Sequence, residues 1–128
     1  MRKQIIVTDQ TPQTKAPLSQ AVRVGDLIFL SGQIGLDPET GVLVQGGVTG
    51  QAAQCLENII AVLGSQGLGL SAVVKMTVFL PDMNQFNSLN MVYAQYFTID
   101  PPARSCIGVK DLPMGAAVEM EAIAVAQS

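Results

Sequence analysis

Histidine is absent from this 128-residue chain, and so is tryptophan. Without an imidazole there is no Ser-His-Asp triad, no Cys-His dyad and none of the common His-based zinc or iron sites. Any proton transfer falls to carboxylates, Lys, Tyr, Cys or water. Cysteine is scarce too: Cys55 and Cys106 stand far apart and outside any CxxC spacing, which predicts no disulfide framework and fits a reducing cytoplasm. Charge is sparse, at 13% of residues, and the seven Lys and Arg are scattered against ten Asp and Glu. A net charge of −3 with no basic cluster argues against a nucleic-acid partner. Long apolar runs are missing as well. The opening MRKQIIV has two cations, but Thr8 and Asp9 interrupt the apolar stretch after three residues, so it predicts neither a signal peptide nor a membrane span.

What the chain does have is apolar surface. Hydrophobic residues make up 48%, and the mean hydropathy is +0.36. The length suits one domain, 1–128, sharing one core. A domain this small leaves much of its surface exposed, so the apolar surplus predicts a homo-oligomer.

The hydrophobic pattern gives an order β, β, β, α, β, α, β, β. QIIVT (4–8) reads as a first strand. AVRV (21–24) and LIFL (27–30) flank Gly25-Asp26, a two-residue hairpin signal, and the SGQIG segment leads to a turn at DPETG (37–41). From Gln51, Ala52, Ala53, Leu56, Ile59, Ile60 and Leu63 recur at helical spacing, with Gly64 and Gly67 as stop signals. AVVKMTVFL (72–80) is β-branched and ends at Pro81. Asp82 offers an N-cap to a second helix whose buried side comprises Phe86, Leu89, Tyr93, Tyr96 and Phe97. RSCIGV (104–109) and VEMEAIAVA (118–126) are the last strands. The pattern predicts an α+β sandwich with helices on one face of a mixed sheet.

Two glycine-rich stretches fail as phosphate motifs. Gly67-Leu68-Gly69 follows a helix and precedes a strand, the reverse of a dinucleotide loop, and no Lys-Ser or Lys-Thr follows Gly46-Gly47. The aromatic residues of the second helix read as core packing, and Cys55 as a small core residue.

Arg104 is the conspicuous charge, because a guanidinium within an apolar strand needs an anion. Two accounts stay open. If Cys106 lies opposite Glu119, then Arg104 lies opposite Glu121 on the same face, and a plain cross-strand ion pair explains both charges. A one-residue slip would put the glutamates on the other face. Alternatively, the anion is a ligand.

PPARSCIGVKDL followed by VEMEAIAV resembles the C-terminal signature of the RidA/YjgF family of reactive enamine/imine deaminases. SGQIG (31–35), APLSQAV (16–22), VVKMTVFLPDM (73–83) and NMVYAQYF (90–97) extend the likeness over nearly the whole chain. The resemblance implies a chorismate-mutase-like fold, a homotrimer with a central barrel of sheets, and ligand clefts between adjacent subunits. It implies that Arg104 binds the carboxylate of a small 2-imino or 2-keto acid, that Glu119 serves the hydrolytic water, and that the Cys106 backbone N–H assists. Ser31, Gly32 and Asn90 match positions that line or support the cleft, and Glu121 becomes a supporting residue. No metal or organic cofactor is implied, and neither nucleic acid nor membrane is an expected partner. The implied reaction is hydrolysis of 2-aminoacrylate or 2-aminocrotonate to the keto acid and ammonia. One departure stands out: the usual GPYSQ is APLSQ here, so Leu18 replaces a tyrosine and Ala16 a glycine. That favours a second reading, a weakly catalytic or non-catalytic trimer that binds small carboxylates. A ribonuclease fits the acidic balance poorly.

Overall fold

Gly25, at φ 59°, turns the chain between β2 (Ala21–Val24) and β3 (Leu27–Ile34) as the two-residue hairpin signal requires. This computed structural model describes residues 2–126. β1 (Lys3–Ile6) pairs antiparallel with β2, and β3 runs past the expected Leu30 to take in SGQI. A register shift between Leu30 and Gln33 lets it continue, so Ser31 and Gly32 sit at an irregularity within a strand rather than in a loop.

Helix α1 (Gly47–Gly64) starts four residues before the periodicity at Gln51 suggests, behind Gly46 at φ 103°. Its buried stripe of Ala52, Cys55, Leu56, Ile59, Val62 and Leu63 packs over β3 and β6. The Asp82 carboxylate does cap, accepting from Asn84 N at 3.0 Å, but the first turn is a 3-10 turn, Met83–Gln85. Helix α2 (Phe86–Tyr96) follows.

Among the described residues, six strands form one mixed sheet in the order β1-β2-β3-β6-β4-β5. β4 (Val73–Leu80) and β5 (Ala103–Gly108) are parallel, as the α2 crossover between them allows, and β6 (Glu119–Val125) is inserted between β3 and β4, antiparallel to both. β5 and β6 are therefore not neighbours, so of the two accounts left open for Arg104 the cross-strand pairing with Glu121 has no ladder to form on. β5 is an edge, and the connection from 109 to 118 carries the chain past β4 before β6 begins.

Both helices lie on one face. Ile28, Met76, Val78, Leu80, Met120 and Ala124 point to them from the sheet, fully buried. The other face is uncovered. Register places Ile5, Val22, Leu27, Phe29, Ile123, Phe79 and Ile107 on it, and Ile5, Leu27, Phe29 and Ile107 are 43–50% exposed. Among the described residues, no helix is long and apolar enough to cross a membrane.

Candidate functional site

Strand alternation decides where each charge points. Arg104 is aligned with Met76 and Cys106 with Val78, both core residues, so Arg104 and Cys106 face the helices. Glu119 is aligned with Phe79 and Glu121 with Thr77, on the uncovered face. The two pairs therefore lie on opposite faces of the sheet, with β4 between their strands, and the same-face arrangement with an Arg104–Glu121 ion pair does not form. With strands about 4.8 Å apart, β5 and β6 are roughly 10 Å from each other before the opposite directions of the side chains are counted.

Arg104 lies at the sheet edge that α2 covers. Its guanidinium carbon is 4.6 Å from the ring centre of Tyr93 and 5.6 Å from that of Phe86. Helical spacing puts Asn90 on the same side of α2, between those two aromatics. Among the described residues, no carboxylate lies within ion-pair distance of Arg104, and its side chain makes no hydrogen bond; the ion pair present is Arg23 with Asp26, at 3.9 Å. Cys106 is partly buried beside it. Burial pushes the Cys106 thiol pKa up and the Arg104 charge opposes this only in part, so at neutral pH little thiolate forms.

Glu119 occupies a different place. Together with Leu18, Ser31, Gly32, Gln33 and Met114 it lines a cleft of about 300 Å³ on the uncovered side. The loop that forms the cleft's outer wall is held by two polar side chains. The Gln20 amide accepts from Thr8 N at 2.7 Å and donates to Thr11 Oγ1 at 2.7 Å, and Ser31 Oγ donates to the Ser19 carbonyl at 2.6 Å. Ser31 thus supports the cleft as well as lining it. Gly32 is a matter of space: a Cβ built there would run into Oε2 of Glu119. Leu18, 54% exposed, and Met114, 64% exposed, make the wall facing the carboxylate apolar. Met114 also stands at φ 58°, a left-handed conformation that a side-chain-bearing residue seldom adopts.

The Glu119 carboxyl is held above the ordinary carboxylate range, first by burial and then by the like charge of Glu121. A carboxylate with a raised pKa at a cleft wall is suited to taking and returning a proton. Behind it, on the helix side, the Cys55 thiol contacts the Gln33 carbonyl at 3.1 Å, and burial followed by the Glu119 charge pushes its pKa well up, as befits an inert core residue. Among the described residues, no group of three or more Cys, Asp or Glu side chains is gathered to hold a metal ion.

The candidate residues therefore form two clusters. Arg104, Cys106 and Asn90 share the α2 edge; Glu119, Leu18, Ser31 and Gly32 share the cleft on the other face. Residue pattern gave no sign of Phe86 and Tyr93 as contacts of Arg104, because helical periodicity marks an apolar face without saying which strand it covers. Gln33 and Met114 were likewise unmarked. The Pro113-Met114-Gly115 triplet is a turn signal, but it does not say which cleft the turn overhangs.

Comparison with known proteins gives these clusters a setting. Residues 8–126 match the family model described as Endoribonuclease L-PSP. A RutC family protein of Pyrococcus abyssi is 46% identical over 97% of this chain and 98% of its own length. The human 2-iminobutanoate/2-iminopropanoate deaminase is 45% identical over 96% of this chain and 90% of its own. Among solved structures, RidA of an Antarctic Psychrobacter superposes with a TM-score of 0.91 at 42% identity, covering 95% of this chain and 98% of that one. Escherichia coli TdcF with bound serine also reaches 0.91, at 40% identity, covering 97% and 99%. With a family model spanning almost all of it and relatives this similar along their full length, the chain belongs to the RidA/YjgF family.

Proposed function

We propose that the protein hydrolyses reactive 2-imino acids, such as those formed from 2-aminoacrylate and 2-aminocrotonate, to 2-keto acids and ammonia. The observation that carries the proposal is Arg104: a guanidinium at the sheet edge with no anion of its own among the described residues. Substrate carboxylate supplies that anion in a bidentate fork, with the Cys106 backbone N–H as a further donor. The serine bound to TdcF, a small amino acid carboxylate, and the activity named for the human relative both favour this class of ligand.

Glu119 cannot reach a substrate of this size held by the Arg104 of its own chain, since the two lie on opposite faces of the sheet. The working site is therefore composite, Arg104 from one chain and Glu119 from its neighbour, and the uncovered apolar face is where chains meet, in a homotrimer. There the Glu119 carboxylate takes a proton from water as the oxygen bonds to the imine carbon. Glu119 returns that proton to the imine nitrogen, giving a neutral carbinolamine, and then carries the carbinolamine's hydroxyl proton to nitrogen as the C–N bond breaks and the C=O bond forms, so that ammonia leaves and the keto acid remains. The Cys106 thiol, protonated at neutral pH, is no nucleophile here.

Leu18 favours one alternative, a carboxylate-binding regulator. It places an apolar side chain in the cleft wall beside Glu119, where the resemblance expects a phenol.

The test follows keto acid release from 2-aminocrotonate generated in situ by a dehydratase, together with thermal melting in 2-oxobutanoate. Wild type accelerates release and is stabilised by the keto acid; Arg104→Ala does neither. With no ion pair to break, that substitution should cost only its aromatic contacts, about 1–2 kcal/mol, and not the roughly 3–5 kcal/mol of a stranded buried carboxylate. The ligand-free melting point should thus fall by less than about 10 °C. A fall well beyond that, with the response to 2-oxobutanoate retained, would make the arginine structural. Binding without turnover would favour the regulator.

A further inference from the structure

We propose that Tyr93 is a positioning residue for Arg104, holding the guanidinium by its flat face so that its N–H edges stay free for a carboxylate. This rests on the reading of Arg104 as the carboxylate fork, and adds what aims the fork.

An acceptor that fixed this side chain would occupy one of the guanidinium's five N–H donors. Arg104 is fixed differently. Its guanidinium carbon lies 4.6 Å from the Tyr93 ring centre, and Phe86, 5.6 Å away, flanks it from the preceding part of α2. Among the described residues, no side-chain or backbone oxygen accepts from it. Contact through π faces restrains the plane of the guanidinium while leaving its in-plane donors uncommitted, the condition that a two-point carboxylate contact needs.

Tyr93 is itself braced. It is 7% exposed, and its ring meets that of Phe97 at 4.7 Å between centres, tilted by 35°. Its hydroxyl is buried and has no hydrogen-bond partner among the described residues. A buried hydroxyl left unpaired is a cost to folding, so the residue's contribution here lies in the ring rather than the oxygen. Burial also raises the phenol pKa to about 12, with Arg104 opposing, so the ring beneath the cation stays neutral at physiological pH.

The test combines NMR of the Arg104 Nε–Hε group with titration of 2-oxobutanoate, on wild type, Tyr93→Leu and Tyr93→Phe. In wild type the ring current displaces the Hε resonance from that of a solvent-exposed arginine. Tyr93→Leu abolishes the displacement and weakens 2-oxobutanoate by roughly three- to thirty-fold, the range a cation–π contact corresponds to. In the imine assay its KM rises in parallel and kcat changes less. Tyr93→Phe keeps the ring and restores both signals, where a role for the hydroxyl would leave it as impaired as Tyr93→Leu. An undisplaced wild-type Hε overturns the proposal whatever the affinity. So does unchanged affinity in a folded Tyr93→Leu, or a Tyr93→Phe that fails to rescue. A wild type that never responds to 2-oxobutanoate overturns the carboxylate site and the positioning role together; the displaced resonance then tells that failure from a misplaced ring.

Discussion

The proposed division of the site between chains makes a quantitative demand. Arg104→Ala and Glu119→Gln should each be nearly inactive alone, because every site then lacks one essential group. Co-expressed with different tags and purified through both, they form only mixed assemblies. In a cyclic trimer each site takes Arg104 from one subunit and Glu119 from the next, so each mixed trimer, whether two-to-one or one-to-two, holds a single intact site among its three. Turnover at saturating imine should then be about a third of wild type, where a twofold dimer would give about a half. Glu119→Gln is a fair partner in this test because it should fold at least as well as the wild type at neutral pH. The Glu119 pKa is raised on folding, so the folded state holds its proton more tightly than the unfolded state. The stability this gives is present below the unfolded value and lost as pH rises through the folded one; a neutral amide avoids that loss. Keto acid release from in situ 2-aminocrotonate is the assay. Mixed assemblies as inactive as the parent variants would refute the composite site, since only a site built within one chain cannot be complemented.

Gly32→Ala should leave the melting point nearly unchanged, because the atom its Cβ meets is the movable end of Glu119, yet displacing that carboxylate by an ångström should lower turnover about a hundredfold. Glu121→Gln removes the second cause of the raised Glu119 pKa, so the acid limb of kcat/KM against pH, where Glu119 ionises to its active form, should move to lower pH; burial should still keep it above the ordinary carboxylate value, and an unmoved limb would mean that another group sets it. Leu18→Tyr should raise imine turnover while 2-oxobutanoate affinity changes little, since a phenol at that wall acts on the reacting complex; equal gains in both would mean that it merely improves binding.

The Gly25-Asp26 hairpin, both helices and the limits of most strands were legible because each depends on neighbours a few residues away. The α1 start was missed because Val48 is the one core residue in the four that precede Gln51. Strand order was not legible. Alternation says that Arg104 shares a face with Cys106, and Glu119 with Glu121, but it does not say which strand lies beside which. An Arg104–Glu121 pair required β5 beside β6, whereas β6 gains two neighbours by entering between β3 and β4 and burying Met120, Ala122 and Ala124 beneath α1. The site was legible in the same measure. Arg104 and Glu119 were visible as charges in apolar strands; that they lie back to back depends on long-range register, on which their spacing of fifteen residues is silent.

That back-to-back arrangement joins assembly to chemistry. Glu119 and Glu121 lie on the same uncovered face as Leu27, Phe29 and Ile107, which the helices leave partly exposed. A partner seated on those apolar residues for the ordinary reason, removal of hydrocarbon from water, also takes water from the neighbouring carboxylates. Burial is already the first cause of the raised Glu119 pKa in the single chain, and further burial acts in the same direction. A general base works best when its pKa approaches the working pH. Association would therefore do two things through one surface: bring a neighbour's Arg104 to the cleft, and move Glu119 toward the proton affinity that the reaction needs. On the proposed reading, a separated chain would have Arg104 facing one way and Glu119 the other, with Glu119 less buried than in the assembly and so a weaker base.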